Sequence, residues 1–246
     1  MHVIRMLPIL FAATLAAPAL AQQEPGSGSW HIVFEPYFMA PNMDGSSGVG
    51  PLTARVSANP SDIFSNLNWG VMGQLEVNNG RFGLNFDGTY MNLESTSDRR
   101  FLDSIVGHQG AYTFGALMRI EKHAELYAGV RVNDLGVNLS ATGPLGNPRS
   151  ASGSKTWVDP IVGLRVTLPF SRTTDLTTLV DVGGFGISSD ISVQVWPSIG
   201  FRLSDKTRIK LGYRAVYTKY ESGEGLQRFS YDVLTFGPTA GVRFQF

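Results

Sequence analysis

The feature that most constrains this chain is a side-chain alternation of period two, cleanest in its last stretch, Phe229 to Phe246. From Leu234 onward the even positions read Leu234, Phe236, Pro238, Ala240, Val242, Phe244 and Phe246, and the odd ones Thr235, Gly237, Thr239, Gly241, Arg243 and Gln245. A strand points successive side chains to opposite faces, so this segment carries one wholly apolar face and one small, polar or charged face. A half-buried strand in a water-soluble sheet shows the same pattern. The alternation, however, recurs through nearly the whole chain and follows a leader with the marks of export, and together these favour a wall facing lipid.

The leader has a positive start at Arg5, an apolar run from Met6 to Leu15 and a small-residue cleavage site at Ala19-Leu20-Ala21. Residues 1–21 are therefore expected to be a signal peptide cleaved after Ala21, followed by a flexible leader over 22–29 and one β domain over 30–246. An uncleaved anchor is disfavoured, because the run is short and interrupted by Pro8 and Pro18. The chain has no cysteine. That removes a lipoprotein anchor, a thiolate metal site, a disulfide framework and cysteine catalysis together. Without Arg5 the 20 basic residues become 19 against 20 acidic ones, and no basic run exists, which argues against nucleic acid as a partner. Past the leader no run of about 18 apolar residues occurs. Lipid can then be spanned only by a closed barrel, in which every backbone group is paired.

Ten strands are readable. The first runs from Trp30 to Ala40, with Pro36 predicting a local bulge. Asn68 to Asn78 and Arg81 to Leu93 form a hairpin about Asn79-Gly80, a pair suited to a type I′ turn, which places Asn78 opposite Arg81 and Gln74 opposite Asn85. The others are Ile105 to Ile120, Ala124 to Asn133, Trp157 to Phe170, Leu176 to Ile187, Ile191 to Leu203, Thr207 to Tyr220 and the closing strand. Short connections alternate with long ones rich in Gly, Ser and Pro at Pro41 to Leu67, Asn92 to Ser104 and Asn138 to Lys155. Short turns belong at the periplasmic end of such a barrel, so both termini are placed there.

The expected fold is all-β, a single closed antiparallel transmembrane barrel of ten strands, with eight or twelve as alternatives. Twelve would follow if Leu52 to Ala58 joined the wall with another partner. In the same first loop, Asn59-Pro60 and Asp62 predict a short helix start. Its apolar residues Ile63, Phe64 and Leu67 require burial, either as a partial plug in the lumen mouth or against a neighbouring wall.

Strand parity sends Glu35, Glu76, Asp87, Glu125, Asp159 and Asp181 inward, with Arg119, Arg131, Arg165, Arg202, Lys210, Arg214 and Arg243, and His31 beside them. Acids and bases are nearly balanced. A paired, hydrogen-bonded core is the favoured reading and a charge-lined selective pore the other. Trp157 and Trp196 also take the inward parity, either filling the lumen or turned outward by a bulge, while Trp30, Phe38, Trp69, Phe82, Tyr90, Phe170, Tyr217 and Phe246 face outward as candidate interfacial girdles. Of the histidines after the leader, His31 and His123 lie toward the periplasmic end and His108 faces outward near the other. None is expected beside a rim Asp or Ser with an orienting partner, so catalysis is not expected. No His or carboxylate spacing suggests a metal site, and no cofactor is expected. Asp181-Val-Gly-Gly-Phe-Gly186 lacks the helix and the Lys-Ser/Thr of a phosphate loop; its glycines fit a sharp bend.

The segment Asp181 to Gly186, followed by Ser188-Ser189-Asp190-Ile191, Leu211-Gly212-Tyr213-Arg214 and the Gly237-Pro238 closing strand, resembles a family of uncharacterised proteobacterial outer-membrane β-barrels grouped with small porin-like barrels. The terminal Phe246 resembles the ending read by the assembly machinery of Gram-negative outer-membrane barrels. These resemblances imply an outer-membrane location, with lipids and the barrel-assembly machinery as partners, and carry no functional residue over. The expected function is non-enzymatic: a structural barrel or a narrow porin-like conduit for a small-molecule permeant, either solute or lipophile. A surface enzyme or adhesin acting through the glycine- and serine-rich outer loops is the alternative.

Overall fold

The computed structural model describes residues 28–96, 104–142 and 148–246. The chain forms β1 (His31–Met39), β2 (Asn42–Val49), β3 (Leu52–Ala58), a helix α1 (Pro60–Ser65), β4 (Leu67–Asn78), β5 (Phe82–Thr96) and β6 (Ser104–Glu121). There follow β7 (Ala124–Thr142), β8 (Pro148–Pro169), β9 (Thr174–Gly183), β10 (Ser189–Arg202), β11 (Thr207–Ser222) and β12 (Phe229–Gln245). Each strand from β4 to β12 pairs antiparallel with the next, and β1 pairs with both β4 and β12, so ten strands close a barrel. Closure is completed by the last residue: the Phe246 N–H donates to the Ile32 carbonyl at 2.8 Å, and the Ile32 N–H to that of Phe246 at 3.3 Å. The expected leader over 1–21 lies outside the described residues.

The two faces of the wall invert those of a water-soluble protein. Val71 is 61% exposed and Leu84 66%, whereas Arg131 is 1% and Asp159 0% exposed. Apolar area left in water costs about 25 cal/mol per Å², and isolated soluble chains rarely show apolar patches beyond a few hundred Å². A belt of this kind around the whole circumference needs an apolar solvent. Outward aromatics flank it, with Trp30, Phe82, Phe170 and Phe246 toward the end that holds the C-terminus, and Phe38, Trp69, Tyr90 and Tyr217 toward the opposite, loop end.

Leu52–Ala58 does form a strand, but it does not raise the barrel to twelve. β3 pairs only with β2, which lies along the loop-end half of β12, so the two extra strands are a hairpin attached to the wall. Alternation could not reveal β2, whose Gly45-Ser46-Ser47-Gly48 has no apolar face; backbone pairing to β12 holds it. Within the long loops expected over Asn92 to Ser104 and Asn138 to Lys155 the described residues are strand, since β5, β6, β7 and β8 extend into them. Residues 97–103 and 143–147, between them, lie outside the described residues.

Two local expectations also change. The first hairpin turns about Gly80-Arg81, with Gly80 at φ +80°, and Asn78 faces Gly83 while Gln74 faces Asp87. The Asn79 side chain is the cause: its Oδ1 accepts the Arg81 and Phe82 N–H groups at 3.0 and 2.8 Å. Glycine thus occupies the first central position, where a type II′ turn needs it. The shift is two residues, so every side chain keeps its predicted face. Pro36 makes no bulge: the register of β1 with β12 runs through unshifted, and instead the pairing with β4 stops at Pro36↔Gly73.

Candidate functional site

The inward side chains build a polar belt across the middle of the lumen. Arg131 on β7 donates from Nη2 to both carboxylate oxygens of Asp181 on β9, at 2.9 and 3.0 Å, and from Nη1 to Ser192 at 3.1 Å. Arg214 on β11 donates to Asp87 on β5 at 2.7 Å, to the Tyr37 hydroxyl at 2.7 Å and to Gln194 at 2.9 Å. Tyr37 in turn donates to Asp87 at 2.9 Å, and Gln194 donates to Asp181 at 2.8 Å. Trp196 fills the lumen beneath, its ring 4.6 Å from the Arg214 guanidinium, a cation–π contact. Charges this deeply buried persist only when paired, and in this belt each one is.

A second charged layer lies nearer the C-terminal end. Arg165 pairs with Glu76 and, at 2.7 Å, with Glu125, which also meets Arg119 at 3.8 Å. Glu35 is held between Lys210 at 3.4 Å and Arg243 at 3.9 Å. Arg208 pairs with Asp175, two inward residues missing from the sequence-derived set. Starting that strand at Leu176 hid Asp175, although the odd positions Asp175, Thr177, Leu179 and Asp181 share one parity. Arg202 faces Arg208 across the β10–β11 pair, and His31 lies opposite Asn78.

Asp159 is the exception to pairing by charge. Its cross-strand neighbour is Arg131, whose guanidinium reaches Asp181 instead. Asp159 accepts hydrogen bonds from the Ser189 backbone N–H and hydroxyl, both at 2.8 Å, from Asn133 at 3.1 Å and from the Trp157 indole at 3.2 Å. Dense donation stands in for a counter-charge.

Above the belt, on the loop side, is a cavity of about 70 Å³. Met39, Met72, Met91, Leu135, Val216 and Val233 give it apolar walls, and Arg131 and Arg214 form its floor. Trp157 and Tyr231 line its upper part, with Tyr220 stacked on Trp157 at 4.3 Å. Trp157 is thus inward, like Trp196. The space equals about five water molecules, enough for the end of one alkyl chain and smaller than the ~150 Å³ of a cavity that holds a benzene ring. Methionine side chains adapt their shape readily, so it can reshape around a guest.

The helix α1 leads into β4 at the loop end of the wall. Asn59 caps it: its Oδ1 accepts the Asp62 N–H and the Asp62 carboxylate accepts the Asn59 N–H, each at 3.0 Å. Ile63 is buried, and Phe64 stacks on the outward ring of Phe38 at 5.2 Å. Leu67 lies past the helix, as the first residue of β4, opposite Leu93. Of the two burial sites open to these residues, Phe64 occupies the neighbouring wall.

On the outward face His108 does meet an acid. Its Nε2 lies 3.3 Å from Asp134, whose other oxygen accepts from Thr156 at 2.6 Å. Sequence reading ended that strand at Asn133; the extension of β7 brings Asp134 alongside His108. The ring also covers Gly136, where a Cβ would come within 2.1 Å of His108 Cε1. Among the described residues no group of three or more His, Asp or Glu is arranged to hold a metal.

No family model matches this chain, and no curated protein sequence matches it. Solved structures do. The outer membrane protease OmpT of Escherichia coli superposes with a TM-score of 0.50 at 9% identity, over 88% of this chain and 97% of that one. A Pseudomonas aeruginosa FadL homologue gives 0.41 at 9% identity, over 88% and 90% of the two chains. Ail, the attachment invasion locus protein of Yersinia pestis, gives 0.38 at 13%, over 88% and 98%. The likeness to OmpT is one of fold: the chain has the architecture of bacterial outer-membrane β-barrels.

Proposed function

We propose that this chain is a non-enzymatic outer-membrane barrel that receives the apolar part of a small lipophile in the loop-end half of its lumen and passes no hydrated ions. The observation that carries this reading is the belt of Arg131, Asp181, Gln194, Arg214, Tyr37 and Asp87, with the methionine-lined cavity resting on it. An ion path needs a continuous column of water. Here the charged side chains at mid-height neutralise one another and fill the cross-section. This reading includes export by the leader, insertion through the barrel-assembly machinery and contact with outer-membrane lipids. The His108–Asp134 contact is wall packing, a ring covering a glycine across the strand pair.

The test combines two measurements on the refolded mature protein. In a planar bilayer it is expected to show no discrete openings. In vesicles, the Trp30→Phe/Trp69→Phe variant, which leaves Trp157 and Trp196, is expected to lose emission when 1-bromohexane is added, and the loss should disappear with Trp157→Phe. Discrete openings, or emission unchanged by bromohexane, would overturn the proposal.

A further inference from the structure

The cavity lacks a backbone ladder on one side. Pairing between β1 and β4 begins at His31↔Asn78 and ends at Pro36↔Gly73, where proline offers no N–H. β1 keeps its β12 partner as far as Met39↔Thr239. Beyond Met72 toward the loop end, β4 pairs only with β5. The extra hairpin does not take the vacant place: past Ala40 and Pro41 the chain follows β12, and β3 pairs with nothing but β2. This leaves a slot in the wall between the loop-end half of β4 and the β1–β2 junction. Met39 and Pro41 on one lip and Met72 on the other are themselves cavity-lining residues.

Among the described residues, the helix α1 lies against that slot. Its turn and caps are closed by its own hydrogen bonds, and the Asn66 carbonyl at its C-cap accepts the Glu94 N–H of β5 at 2.7 Å, which ties that end to the wall. Toward β1 its contacts are apolar: Phe64 on Phe38, and buried Ile63. The other break in the wall, beyond Ile161↔Gly183, is closed differently. There Trp157 donates to Ser189 at 2.9 Å and stacks on Tyr220. One break is bolted by a hydrogen bond and a stacked pair, while the other is stopped by a short helix that is hydrogen-bonded on its β5 side and rests on apolar contacts on its β1 side.

We infer that α1 is the door of a lateral portal, through which an uncharged alkyl chain passes between the surrounding bilayer and the cavity. This rests on the lipophile reading above. The class of guest follows from the floor: each guanidinium nitrogen of Arg131 and of Arg214 already holds a protein partner, so neither arginine has charge to spare for an anionic head group. The methionine, leucine and valine walls that remain also carry uncharged polar groups at Thr89, Gln109, Asn133, Thr218 and Thr235, so they suit an uncharged chain. Elements gating a site in this way move without global unfolding, on microsecond to millisecond timescales.

The chain has no cysteine, so a cysteine pair can be placed cleanly. In the Trp30→Phe/Trp69→Phe background, Phe38→Cys/Phe64→Cys is joined by a bifunctional thiol reagent with a reducible linker, and quenching of Trp157 by 1-bromohexane is followed in vesicles. Joining is expected to slow quenching by about tenfold or more, and reduction to restore it, as for a pinned lid. The joined and reduced forms are one preparation, which controls for folding. Phe64→Ala is expected to quench faster than the parent. Equal rates in joined and reduced protein, with full quenching in both, would overturn the portal and leave lipophile binding standing. Absence of quenching in both forms would overturn the lipophile reading as well.

Discussion

Arg131 shows what a single residue decides in this lumen. With its side chain 1% exposed and that of Asp181 0%, neither can be hydrated if the other is removed. Arg131→Met is therefore expected to cost about 3–5 kcal/mol, whereas Arg131→Met/Asp181→Leu should recover most of it. Denaturant unfolding in detergent micelles measures both. A double variant as damaged as the single one would mean that the cost comes from packing. Parity was sufficient to send both residues inward. It could not choose the partner, because Asp159 faces Arg131 across the adjacent pair while the guanidinium reaches past β8 to β9. Long side chains choose among neighbours in three dimensions, and Asp159 is satisfied by Ser189, Trp157 and Asn133 instead.

At the scale of elements, α1 was legible in its start and not in its place. Asn59, Pro60 and Asp62 announce a cap whatever lies around them, because the bonds involved are local. Asn59→Ala is expected to weaken the helix by about 1 kcal/mol and so to speed bromohexane quenching several-fold, with the barrel's unfolding midpoint unchanged. A shifted midpoint with an unchanged quenching rate would mean that the helix braces the wall and does not gate it. The hairpin at Gly80 carries a related lesson. A side chain that can take backbone N–H groups, here Asn79, moves a turn by two residues at no cost to the faces. β2 had little signal to read, since it is held mainly by backbone pairing to β12, with Ser47 donating to the Ser230 carbonyl and Met43 packed on the aromatic cluster around Trp157.

For the whole molecule, closure is the event on which everything else depends. Phe246 exchanges both backbone hydrogen bonds with Ile32, joining the last residue to the first strand. Deleting Phe246 is expected to lower the fraction of protein recovered in the outer membrane, while Phe246→Tyr, which keeps an aromatic end and the same backbone groups, should largely preserve it. Membrane fractionation of cells expressing the two variants gives the comparison. Equal recovery of the deletion and the parent would remove the terminal residue from both closure and assembly.

The sequence by itself determined the strand type, the inside and the outside of the wall, and the number of strands that close it. These depend on a period of two and on turn chemistry, both written in consecutive residues. The tertiary structure alone decided that Arg131, Asp181, Arg214 and Asp87 pair in a belt drawn from six strands, that a methionine-lined cavity lies above it and that the ladder between β1 and β4 opens beside it. Those features join residues far apart in the chain. Their energies depend on which neighbours closure brings within reach, and only a closed barrel sets those distances.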